Sequence, residues 1–99
     1  MSRDALKLAA TTYKIVRQKR IICDGDPATG TCDFDRRIIK IQLNLPPDIE
    51  YETEWHESAH AMDDAFSLGL THEQITALGK ALAQVMPDNQ WLGQPRMRE

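Results

Sequence analysis

The sequence predicts an α+β fold in which a small antiparallel sheet is followed by two helices. Three observations carry this. Short segments of strand-like composition, separated by turn residues, occupy the chain up to Leu43. No Gly or Pro interrupts the stretch from Asp48 to Leu68. A second stretch of helical periodicity then follows an N-capping signature at Thr71.

Arg37 to Leu43 alternates, with Ile39, Ile41 and Leu43 on one face and Lys40 and Gln42 on the other, Ile38 excepted. Gly30 to Phe34 reads as its partner, turning at Asp35-Arg36. Lys19 to Cys23 reads as a further strand, joined through Asp24-Gly25-Asp26-Pro27-Ala28-Thr29-Gly30, a run dense in turn residues. The first eighteen residues admit two readings. Ala5 to Ala10 suits the start of a helix, whereas Thr11 to Val16 favours a strand through its β-branched content. A strand pair is the expectation there. The strand at 37–43, lying just before the first helix, is expected to offer its edge to an extended peptide.

Pro46-Pro47-Asp48 marks a helix start, and Asp48, Glu50, Glu52 and Glu54 crowd the early turns, where the helix dipole favours negative charge. Gly69 is the stop signal. At ~100° per residue, Tyr51, Trp55, Ala59, Met62 and Phe66 form one stripe, expected to face the core. His56, His60, Asp63 and Ser67 form the adjacent stripe, with Glu57 at its far edge, expected to face a cleft. Thr71-His72-Glu73-Gln74 has the form of a capping box, and Ile75, Leu78, Leu82 and Val85 continue as a helical face to about Met86. Pro87-Asp88-Asn89 ends it. So tight a connection predicts two helices packed as a pair.

The chain has 99 residues, enough for one domain with a modest core; residues 1–92 are expected to form it, with 93–99 a flexible tail. No apolar stretch approaches the ~20 residues of a membrane span, and no signal peptide leads the sequence, so the expected setting is cytoplasmic, without a membrane partner. Charge is uneven: nine Lys/Arg against five Asp/Glu in residues 1–40, and three against ten in residues 41–99. Arg17, Lys19, Arg20, Arg36 and Arg37 suggest a basic patch for nucleic acid. No aromatic stacking set accompanies them, and cations that protect strand edges from aggregation are the favoured reading.

Cys23 and Cys32 lack C-x-x-C spacing, and a reducing setting disfavours a disulfide, leaving small buried hydrophobes as their expected role. Asp24, Asp26 and Asp33 lack the calcium-loop pattern and read as a solvated turn.

The most specific feature is His56-Glu57-Ser58-Ala59-His60, an H-E-x-x-H pattern. On a helix its two histidines lie one turn apart and can share one zinc ion, with Glu57 placed as the base for an activated water. A catalytic zinc takes three protein ligands. Glu73 is the first choice for the third, because a carboxylate completes a His-His-Glu set, with His72, Asp63 and Asp64 as alternatives. After a turn at Gly69, the second helix regains the level of the histidines only near Thr76 or Lys80, at ~1.5 Å per residue, and neither is a good ligand. Asp63 is weighed as an orienting partner of a ligand histidine against a solvent-facing acid. Tyr13 and Tyr51 are candidates for oxyanion stabilisation only by exclusion.

The run Thr53-Glu54-Trp55-His56-Glu57-Ser58-Ala59-His60-Ala61-Met62-Asp63 resembles the T-x-x-H-E-x-x-H-A-x-D of short phage-associated metallopeptidase-like proteins related to the minimal zincins of the ImmA/IrrE type. Ile75 to Leu82 resembles that group's second-helix segment, and Asp88-Asn89-Gln90-Trp91-Leu92 its D-N-P-x-L ending, so the resemblance spans roughly residues 37–92. It implies a small, intracellular or phage-encoded protein with a zinc peptidase site; the chemistry of H-E-x-x-H itself makes a peptide or protein the expected substrate. Such proteins often carry a glutamate where this chain has Thr76. Either Glu73 substitutes from one turn earlier, or zinc binding is weak. The expected mechanism is hydrolysis of a peptide bond with His56, His60 and Glu73 on zinc and Glu57 as general acid–base. The alternatives are a zinc-stabilised regulatory binding module and, less favoured, a nucleic-acid-binding accessory protein.

Overall fold

The computed structural model of the chain describes residues 4–92; the tail expected at 93–99 lies outside the described residues. Six strands precede two helices: β1 (Ala5–Leu8), β2 (Thr11–Gln18), β3 (Ile21–Cys23), β4 (Asp26–Ala28), β5 (Gly30–Asp33), β6 (Ile38–Gln42), α1 (Pro47–Phe66) and α2 (His72–Asp88). The α+β arrangement expected from the sequence is the one observed. Residues 5–8 are strand, not the start of a helix, because they pair antiparallel with β2, Leu6 opposite Tyr13 and Leu8 opposite Thr11.

The main sheet has the order β1-β2-β6-β5, and β3 and β4 form a separate hairpin. The outer pairs are antiparallel, whereas β2 and β6 run parallel, with Ile15 opposite Ile39 and Arg17 opposite Ile41. This register corrects one expectation. β6 is flanked on both sides, so residues 37–43 present no free edge to a peptide; the sheet's edges are β1 and β5.

Alternation sets the two faces of the sheet. Tyr13, Ile39 and Ile41 are fully buried and pack with Leu8 and with Ala61 of α1, while Leu6, Ile15, Cys32, Leu45 and Met62 close over them. Burial of each large apolar side chain contributes about 1.5–3 kcal/mol. Ile38, which broke the sequence alternation, stands on the opposite face. Leu43 was expected to join Ile39 and Ile41, but the strand ends at Gln42 and Asn44 turns through a left-handed backbone (φ 62°), leaving Leu43 exposed.

The first helix starts where Pro46-Pro47 predicts, with Pro47 at the first helical position. Its seat on the sheet differs from the expected stripe. Thr53, Glu57 and Ala61, at i, i+4 and i+8, are the buried line; Ala59 is buried too, but Tyr51 and Trp55 are half-buried and Phe66 is exposed. The smaller residues win because the sheet comes very close. A Cβ built on Gly30 would lie 2.7 Å from Thr53 Cγ2 and 3.0 Å from Glu57 Cγ. Two polar contacts fix the helix's rotation: Arg17 Nη2 donates to Glu54 Oε2 at 2.7 Å, and the Thr53 hydroxyl donates to that of Thr29 at 3.2 Å.

Ser67 ends α1 in the left-handed conformation (φ 52°), and Gly69 (φ 71°) completes the reversal. The capping box at the start of α2 forms as predicted: Gln74 N–H donates to Thr71 Oγ1 at 3.1 Å, and Thr71 N–H to Gln74 Oε1 at 2.9 Å. α2 continues to Asp88 with Pro87 inside its last turn, and its buried residues are Ile75 and Gly79. No helix among the described residues is long and apolar enough to cross a membrane.

Candidate metal centre

His56 and His60 stand one turn apart on α1, as their spacing requires, with their Nε2 atoms 3.2 Å from each other. Nitrogens bound at ~2.0–2.1 Å to a tetrahedral ion lie about 3.3 Å apart, so this pair already has the separation of two ligands on one metal. The imidazole of His72 completes the group. Its ring centre is 5.7 Å from that of His56 and 5.5 Å from that of His60, and one ligand atom from each of the three lies within 4.8 Å of the others. Among the described residues, His56, His60 and His72 form the cluster able to hold a metal ion.

Glu73, the first choice from the sequence, is not a member of that cluster; it is exposed in the first turn of α2, where an acid favours the helix dipole. His72 comes within reach because the connection folds back sooner than a simple turn at Gly69 would. Leu68 N–H bonds to Asp63 O at 3.1 Å, and Leu70 N–H bonds to Asp63 Oδ1 at 2.8 Å. Leu70 is therefore held at the level of Asp63, less than a turn past His60, and α2 opens two residues later with His72. Helical spacing carried no trace of this bond.

The other candidates have different employment. Asp63 binds the Leu70 amide, and its charge also favours the protonated form of His60. Asp64 accepts the Tyr13 hydroxyl at 3.2 Å. Tyr13 is thus a core residue, its hydroxyl pushed up to about 12 by burial and by Asp64. Tyr51 packs edge-on against Trp55 at 6.3 Å and lines a different cleft, with Asp48 and Pro87. Neither tyrosine lines the clefts beside the histidines.

Electrostatics suit a metal. Burial lowers the pKa of both His56 and His60; His72 adds to the effect on each, His56 adds to it on His60, and Glu52 opposes it at His56. The imidazoles are thereby biased toward the neutral, ligating form. Glu57, only 6% exposed, has its carboxyl pushed up to about 7 by burial.

Two clefts meet at this site, sharing Gly30, His56 and Glu57. One, of about 420 Å³, lies toward the start of α1 and is walled by Ala28, Thr29, Ile49 and Glu52. The other, of about 320 Å³, contains His60 and His72 and is walled by Cys23, Asp24, Cys32 and Phe34. β5, at the sheet's edge, contributes Gly30 to both. The expectation of two small buried hydrophobes holds in part for Cys32, which packs against the core, and fails for Cys23. Both are free, Cys23 is exposed on the hairpin, and Cys32 is half-buried with its thiol pushed up to about 12 by burial and by the charges of Glu57, Asp64 and Asp33. Asp33 has a turn role, accepting the Arg36 amide at 3.1 Å.

Comparison with protein-family models, curated proteins and solved structures returned no match.

Proposed function

We propose that the chain is a zinc-dependent metallopeptidase whose ligands are His56, His60 and His72. The observation that carries this reading is the convergence of three imidazoles beside a buried glutamate at the junction of two clefts. Three histidines would hold the ion and leave room for a water, as catalytic sites require. When bound, zinc would supply a Lewis acid that makes water nucleophilic near neutral pH and polarises a carbonyl.

The residues of the chain do the rest. Glu57 accepts the proton of the attacking water and delivers it to the leaving amine, and a carboxyl poised near 7 suits both transfers. Asp63 holds the connection that presents His72. β5 has no strand on its outer side in the main sheet, so an extended peptide can add there by main-chain hydrogen bonding and pass over Glu57.

The test is cleavage of a mixed peptide library, read by mass spectrometry, with metal content measured in parallel. Zinc-loaded protein should cleave, Glu57→Gln should retain zinc and lose at least ~10²-fold in rate, and His56→Ala should lose zinc. Failure to bind zinc, or full activity in Glu57→Gln, would sink the proposal. Zinc bound without cleavage would instead identify a zinc-stabilised binding module.

A further inference from the structure

The wider cleft beside the metal centre has a composition that selects a ligand. Its walls include the apolar side chains of Ala28 and Ile49 together with the carboxylate of Glu52, which stands on the exposed surface of α1 one turn before His56. No Lys or Arg lines either cleft, whereas Glu52, Glu57 and Asp24 do. Among the described residues Glu52 makes no hydrogen bond or ion pair, in contrast to Glu54, which receives Arg17 at 2.7 Å. Arg17 is thus engaged at Glu54, while Glu52, whose charge acts on His56, lines the cleft with no cationic side chain in its walls.

A long basic side chain matches this arrangement. Its methylene stem can lie on Ile49 and Ala28 while its charged head reaches Glu52 at the solvent rim. An acidic side chain would meet Glu52 and Glu57 together. A short apolar one would leave most of the 420 Å³ to water. We infer that the Ala28–Ile49–Glu52 cleft is a specificity subsite that takes a Lys or Arg side chain of the peptide, with Glu52 as the determinant of that choice. The inference rests on the peptidase reading for its substrate class, and deepens it by naming the residue type beside the scissile bond.

The experiment measures kcat/KM of the zinc-loaded protein on a peptide series that varies one position at a time among Lys, Ala and Glu. At one position near the cleaved bond, Lys should exceed Glu by about three- to tenfold, the range expected of one solvent-accessible ion pair. Glu52→Gln should flatten the preference, Glu52→Lys should invert it, and Asp48→Asn, an equal charge change outside the cleft, should leave it intact. In parallel, affinity for the same peptides is measured by fluorescence anisotropy on zinc-loaded Glu57→Gln, alone and combined with Glu52→Gln. Cleavage without charge preference, or with a preference that survives Glu52→Gln, overturns the subsite and leaves the peptidase reading standing. Absence of cleavage with Lys-selective binding that disappears with Glu52→Gln overturns the peptidase reading and sustains the subsite. Neither cleavage nor Lys-selective binding overturns both.

Discussion

Gly79 of α2 rests against the backbone of His56. A Cβ built at position 79 would lie 2.9 Å from His56 Cα and 3.2 Å from its N. Gly30 approaches from the sheet side, against the side chains of Thr53 and Glu57, so the H-E segment of α1 lies between two residues without side chains. Backbone cannot turn aside as the end of a long side chain can. Gly79→Ala should therefore destabilise the protein by about 1–3 kcal/mol through overpacking, even though alanine favours an exposed helix by about 1 kcal/mol. Zinc affinity should fall with it. Denaturant unfolding and metal titration check both; a gain in stability would show that the helices separate at little cost.

The ligand assignment separates two adjacent residues. His72→Ala should weaken zinc binding by more than about 100-fold, whereas Glu73→Ala should leave it nearly unchanged. The readout is the rise in melting temperature on adding zinc, since a ligand at 100 times its Kd stabilises the folded state by about 2.7 kcal/mol. The reverse pattern would return the third position to Glu73.

Asp63 accepts the Leu70 amide, and its charge also acts on His60. Asp63→Ala should reduce zinc affinity by about 10–100-fold, the scale of losses seen when a ligand's supporting group is removed, with about 1 kcal/mol of stability. Asp63→Asn retains an acceptor oxygen and should recover most of both. Equal loss in the two variants would mean that the carboxylate's charge, not its grip on the connection, is what matters.

Tyr13 and Asp64 predict a pH dependence of stability that involves no metal ligand. The Tyr13 hydroxyl titrates near 12 in the folded chain against 10.0 ordinarily, so the folded state keeps the proton longer. That contribution to stability is whole below pH 10 and is lost as pH rises toward 12. Cys32, raised from 9.0 to about 12, acts in the same direction. Tyr13→Phe should lower stability by about 1 kcal/mol at neutral pH. Above pH 10 its denaturation midpoint should fall less steeply than the wild type's, and parallel curves would contradict the assignment.

Local rules were enough for much of this molecule. Pro46-Pro47 starts α1, the reciprocal bonds of Thr71 and Gln74 start α2, and H-E-x-x-H places His56 and His60 on one face. Each depends on residues no more than one turn apart, and neighbours along the chain cannot avoid one another. What depended on distant segments could not be read this way. The parallel pairing of β2 with β6 removes residues 37–43 from the sheet's edge, and the close approach of Gly30 to Thr53 and Glu57 puts Glu57 against the sheet, where it is buried. The bond from Leu70 to Asp63 brings His72, in place of the exposed Glu73, to the other two histidines. A helix period states which residues share a face, but the third point of a metal site is set by where another element crosses, and tertiary packing alone decides that.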